Sequence, residues 1–134
     1  MEEKEITRSK NRCKKFRLRI LDISQKVSAL HIAPAFSCLE ILDSIYYFLL
    51  AKPDNLHNQF ILSKGHGAIA QYIILEELQV LKKSDIENYC QSNGILGAHP
   101  DRGNPGISAS TGSLGHGIGL GVGVSYGNFL QDQK

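Results

Sequence analysis

No two cysteines in this chain stand at a short spacing. Cys13, Cys38 and Cys90 are odd in number and far apart, which excludes a zinc knuckle or a CxxC redox motif and predicts reduced thiols in a cytoplasmic protein. The five histidines lack any HExxH-like or Cys/His spacing, so they do not read as a metal centre. The Walker pattern GxxxxGK[ST] and the nucleophile elbow GxSxG are both missing. GHGIGLG holds the first two glycines of a dinucleotide fingerprint, but Leu120 takes the place of the third and a loop precedes it, which argues against NAD. The opening MEEKEITRSK lacks the apolar stretch of a signal peptide, and no run reaches the roughly 20 apolar residues of a bilayer span. No membrane association is expected. A net charge of +2, from 15 basic and 13 acidic residues, supplies no argument for a polyanionic partner.

What is present begins with a basic segment. Arg8, Lys10, Arg12, Lys14, Lys15, Arg17 and Arg19 bring together seven of the fifteen positive charges. Cys13, Phe16, Ile20, Ile23, Val27 and Leu30 recur at three- and four-residue steps, predicting a helix over about 7–30 with the charges mostly on its other side. Such a run serves either nucleic-acid binding or a solvated helix exterior. The second is the commoner explanation of such a run, and no nucleic-acid partner is expected. Residues 1–12 are expected as a flexible basic extension.

Ser37 and Glu40 form a capping box that opens a second, mostly buried helix reaching about residue 51. Pro53, Asp54 and Asn55 make a loop, and residues 59–62 suit an interior strand. SKGHG follows as a glycine turn, then a helix over 68–81. Strand, turn and helix in that order are the geometry in which backbone N–H groups at a helix start meet an anion. Ser84 and Glu87 cap a short helix through about residue 90. Residues 91–110 show no periodicity; a loop of that length in a compact domain is functional or disordered, and its Gly, Pro, His, Asp and Arg favour function.

Glycine occupies alternate positions from Gly115 to Gly123. As a strand this would leave one face bare. As a helix, Gly115, Gly119, Gly123 and Gly127 recur every four residues and predict a smooth stripe for close backbone packing. His31, His66, His99 and His116 lie at helix or loop boundaries among small residues, while His57, in DNLHNQ, is expected to be exposed. One histidine so placed is more often structural. Four in a small chain favour chemistry, because imidazoles donate, accept and carry protons near neutral pH.

Three blocks resemble the N-terminal part of transketolases: LSKGHGA at 62–68, GAHPDRGNPGISASTGSLGHGIG at 97–119 and, more loosely, SALHIAPAFSCLEILDSIYY at 28–47. With the connecting helices the resemblance covers most of the chain beyond residue 12. Transketolases are thiamine diphosphate enzymes that transfer a two-carbon ketol unit from a ketose phosphate to an aldose. Their cofactor lies between a domain gripping the diphosphate through Mg²⁺ and a domain holding the aminopyrimidine. The resemblance implies an α/β fold over residues 1–134, helices around a parallel sheet, as an incomplete thiamine diphosphate-binding domain. It implies that His66 approaches the diphosphate, that His99 hydrogen-bonds the substrate hydroxyl near the reacting carbonyl, and that His31 sits beside the same carbons. Gly112 and Leu114 would meet the thiamine through their backbone, the Gly112 carbonyl accepting from the 4′-amino group. Gly112 and Gly115 would admit the cofactor closely, and the later glycines would let the following helix pack tightly. His116 stands where glutamine is common in the family.

The family's Mg²⁺ motif, a GDG followed further on by an Asn, does not occur, and after Leu114 the only acidic residue is Asp132. Mg²⁺ needs near-octahedral oxygen ligands, so no metal ligand is expected in this chain. Thiamine diphosphate and Mg²⁺ are expected only with a partner chain that brings the GDG motif and the pyrimidine domain, whose glutamate activates the aminopyrimidine. The chain is therefore expected to be a fragment or small subunit of a hetero-oligomeric transketolase of carbohydrate metabolism. It would act on sugar phosphates together with other transketolase subunit chains and not alone. The alternative is a non-catalytic, truncated remnant that binds or regulates a partner.

Overall fold

The three- and four-residue apolar spacing near the N-terminus forms α1, Glu3–Ser24, which buries Cys13, Phe16, Ile20 and Ile23. In this computed structural model the described residues are 3–28, 30–51 and 58–131; the loop expected at Pro53, Asp54 and Asn55, and His57, lie outside them. α1 begins inside the stretch expected as an extension, with Glu3 and Glu5 in the first turn, where carboxylates suit the helix dipole. Its basic residues meet acids of the same fold: Lys15 bonds Glu77 at 2.7 Å, Arg19 bonds Glu76 at 3.0 Å and Arg17 bonds Glu40 at 2.6 Å.

α2, Ile32–Ser44, starts ahead of the expected capping box. Pro34 fits its first turn because no donor is needed there. Ser37 is consequently inside the helix and caps nothing; its hydroxyl donates to the Pro34 carbonyl at 3.0 Å and accepts from Lys64 Nζ. Residues Ile45–Leu49 continue as a π-helical turn, closed by Leu50 N–H donating to the Ile45 carbonyl at 2.9 Å. The stretch Ile32–Leu49 is long and apolar enough by length and composition to cross a bilayer. Here it serves as a core helix, contributing Ala35, Cys38, Leu39, Leu42 and Tyr46.

Asp43 lies on the same helix and is 0% exposed. Its carboxylate accepts from Arg12 at 2.7 and 2.9 Å and from the Ser9 hydroxyl at 2.6 Å, while the Arg12 guanidinium lies 3.9 Å above the Tyr47 ring. A buried charge needs such partners. The bond to Asp43 holds Arg12 above its ordinary value.

α3, Ala68–Glu77, follows a 3₁₀ turn at Gly65–Gly67, and every residue from Ala68 to Leu75 is buried. It is apolar on all sides and packs against α1 and α2. It stops short of residue 81 because Gln79 takes φ 61°, and Leu81 N–H returns to the Leu75 carbonyl at 3.1 Å. α4, Lys83–Glu87, has Lys82 as its N-cap and so starts two residues earlier than the capping box at Ser84 and Glu87 predicts. The capping carboxylate is Asp85, which accepts from Lys82 N–H at 2.9 Å. This helix also ends before residue 90, where Cys90 takes φ 56°.

The parallel sheet implied by the resemblance is not formed: the described residues are helices and irregular segments, without a strand. One isolated bridge joins Arg102 and Asn104. Residues 59–62, expected as an interior strand, form no ladder with another described segment, and a lone strand leaves its backbone groups unpaired. The Leu62 carbonyl is satisfied instead by the Thr111 hydroxyl at 2.7 Å.

The long loop is held at several points. Cys90 N–H donates to the Leu96 carbonyl at 2.8 Å, Asn104 Nδ2 to the Ile95 carbonyl at 3.0 Å, and Ser110 Oγ to Asp101 at 2.6 Å. Gly106, at φ 77°, lies against Leu75 of α3. α5, His116–Leu130, then runs outward with Gly117 as its buried residue. The glycine stripe does not pack tightly as expected: among the described residues a Cβ at Gly119, Gly121, Gly123 or Gly127 would meet nothing within 4 Å.

Candidate functional site

His31, His66 and His99 come from three separate segments and meet. The ring centroids of His31 and His66 are 6.1 Å apart, and those of His31 and His99 are 5.7 Å apart. His31 immediately precedes α2, and its carbonyl accepts from Ala35 N–H at 3.2 Å. His66 sits in the 3₁₀ turn, closed by Gly67 N–H donating to the Lys64 carbonyl at 2.7 Å. His99 belongs to the irregular loop; its carbonyl accepts from the Tyr72 hydroxyl of α3 at 2.8 Å. His31 and His99 are exposed and His66 is half-buried, so the cluster opens to the surface. His116, the first residue of α5, is exposed.

Gly112 is exposed beside His99; a Cβ there would lie 3.8 Å from the imidazole. Leu114 is 71% exposed at the entry to α5. Gly115 reverses the chain with φ 91°, and a Cβ on it would meet nothing within 4 Å, so its backbone angle and not its neighbours calls for glycine. Gly117 lies against Ser63, where a Cβ would come within 2.6 Å of the serine Cβ, and its N–H donates to Ser63 Oγ at 3.1 Å.

The contact that assembles the site is one the sequence reading missed. A Cβ on Gly65 would fall 2.8 Å from the Thr111 carbonyl oxygen and 2.9 Å from Gly112 N, so the SKGHG and TGSLG backbones touch. The signal was present in the first glycine of SKGHG, but its neighbour is 46 positions away and no local pattern names it. Gly65→Ala should force these backbones apart and cost about 2 kcal/mol by overpacking. Urea unfolding would give that loss, and histidine-labelled NMR should show the His66 ring displaced; unchanged stability and spectra would refute the contact.

The donor set suits part of a thiamine diphosphate site. Imidazoles at His66 and His99 and open backbone at Gly112 offer donors and acceptors to a polar cofactor without a side chain over that backbone. A divalent cation does not fit: among the described residues no group of three His, Cys, Asp or Glu could hold one.

Residues 8–133 match the family model described as "Transketolase, thiamine diphosphate binding domain". The chain is 34% identical over 116 residues to one of the apulose-4-phosphate transketolase subunits of Phocaeicola vulgatus, covering 83% of this chain and 41% of that one. It is 36% identical over 101 residues to the protein of the same name from Actinobacillus succinogenes, covering 71% of this chain and 37% of that one. To transketolase of Homo sapiens it is 32% identical over 117 residues, covering 82% of this chain and 19% of the relative. The chain thus spans well under half the length of these curated relatives. With its three histidines converging beside Gly112 and its match over nearly the whole length, the chain belongs to the transketolase thiamine diphosphate-binding domain family.

Proposed function

We propose that this chain is the N-terminal subunit of a thiamine diphosphate-dependent, transketolase-like enzyme that transfers a two-carbon ketol unit between sugar phosphates. The convergence of His31, His66 and His99 on one accessible surface beside Gly112 carries this reading. Thiamine diphosphate, when bound, supplies a nucleophilic carbon and an electron sink. His66 would hold the diphosphate, and the backbone at Gly112 and Leu114 would hold the aminopyrimidine. His99 and His31 face the ketose, donating to its carbonyl oxygen as negative charge develops there and exchanging protons with neighbouring hydroxyls.

A partner chain brings the Mg²⁺ ligands of the GDG motif and the pyrimidine domain, forming a hetero-oligomer. Two observations support a partner. The two bacterial relatives are named as subunits of a transketolase, and α5 exposes Ile118, Val122, Tyr126 and Phe129, each more than 60% accessible. The same names support a phosphorylated ketose as donor. A cytoplasmic setting goes with three free thiols.

Titration calorimetry of thiamine diphosphate with Mg²⁺ tests the reading, first with this chain alone and then with the complementary transketolase chain from the same genome. Heat of binding is expected in the mixture only. Its absence in the mixture would overturn the proposal in favour of a non-catalytic remnant that binds or regulates a partner.

A further inference from the structure

His99 stands on a loop without helix or strand, yet its usefulness depends on where its ring is held. Tyr72 is 0% exposed, in the middle of the most buried helix, and its hydroxyl reaches out of that helix to the His99 carbonyl at 2.8 Å. The Tyr72 ring is itself fixed, edge-on to Tyr89 with centroids 6.1 Å apart. One residue beyond His99, the Pro100 carbonyl accepts from Thr111 N–H at 3.2 Å. The loop is therefore tied at His99 to α3 and at Pro100 to the segment carrying Gly112.

We infer that Tyr72 is a positioning residue, whose buried hydroxyl anchors the His99 backbone and so sets the imidazole against His31 and Gly112. The bond joins a rigid element to a segment that has no ladder of its own. Losing the hydroxyl leaves the His99 carbonyl without this donor, which favours opening of the loop. Burial raises the Tyr72 hydroxyl well above its ordinary value, so it remains a donor throughout the neutral range. The catalytic consequence rests on His99 facing substrate, but the anchoring does not.

The test compares Tyr72→Phe with Tyr46→Phe in the full chain. Tyr46 also carries a buried hydroxyl, accepting from Gln71 at 2.8 Å, but away from the loop. In Tyr72→Phe the His99 ring resonances should move in histidine-labelled spectra, and trypsin cleavage after the exposed Arg102 should quicken about tenfold. Tyr46→Phe should lose stability with neither change. Equal His99 spectra and equal cleavage in the two variants would overturn the anchor. Should Tyr72→Phe fail to fold, the unsubstituted chain decides: a slowly exchanging Tyr72 hydroxyl proton with a cross-peak to residue 99 supports the bond, and a freely exchanging one overturns it. With the partner chain present, Tyr72→Phe should lower kcat about tenfold with KM unchanged. A moved His99 ring in an assembly inactive even without substitution would retain the anchor and remove the functional reading.

Discussion

Replacing His99 by alanine should lower kcat of the assembled enzyme by about a hundredfold or more. Negative charge grows on the ketose oxygen in the transition state, and a donor already aimed at it spends no energy on reorganisation at that moment. His99 is exposed and is held through its backbone carbonyl, so truncation of its ring leaves the Tyr72 bond in place. The unfolding midpoint should therefore stay where it is. Steady-state rates with a phosphorylated ketose donor, read beside thermal unfolding, separate the two effects. Full activity in His99→Ala would remove His99 from the chemistry. A loss confined to KM would make it a binding group only.

The second large effect concerns stability and lies far from the histidines. Asp43→Ala should destabilise the chain by about 3–5 kcal/mol, because it strips a buried carboxylate from Arg12 and Ser9. Against the roughly 5–15 kcal/mol typical of a whole domain, that is a large share. Removing Arg12 as well should restore part of the loss, since the unpaired guanidinium goes with it. Urea unfolding of Asp43→Ala, Arg12→Ala and the double variant closes the cycle. A cost below about 1 kcal/mol for Asp43→Ala would mean that the pair behaves as a solvated surface bridge.

Asp43 illustrates why parts of the fold were not legible. In sequence it is one acid in ILDS; its partners, Ser9 and Arg12, are 34 and 31 positions away. The basic segment on α1 reads as solvated exterior. Arg8, Lys10, Lys14 and Lys15 are indeed exposed, but Arg12, Lys15, Arg17 and Arg19 also tie α1 to Asp43 and Glu40 on α2 and to Glu77 and Glu76 on α3. Helix ends moved for similar reasons. α2 takes up the residues before Ser37 because Ala35 finds core there and Phe36 packs against it, and α3 ends early because Gln79 reverses the chain.

The glycine-rich segment shows the opposite. Its helix was legible, but its use was not, because a four-residue glycine period says that a backbone can approach and not whether one does. Among the described residues Gly117 alone of the α5 glycines meets a neighbour, Ser63. The strand expected at 59–62 failed for a related reason: an apolar run specifies burial, whereas a strand also needs a partner for its backbone groups.

By itself the sequence determined the family, through SKGHG and GAHPDRGNPGISASTGSLGHGIG. It also determined the apolar face of α1, whose periodicity is a local property of the chain, and the existence of α3, and it singled out His31, His66, His99, Gly112 and Leu114 as residues to follow. Tertiary structure alone decided that three of those histidines meet, that Gly65 lies on the Thr111 and Gly112 backbone, and that Tyr72 holds His99. It also decided that no sheet forms among the described residues. Each of these depends on groups far apart in the chain, whose separation is closed by burial of the α1, α2 and α3 core and not by any local preference.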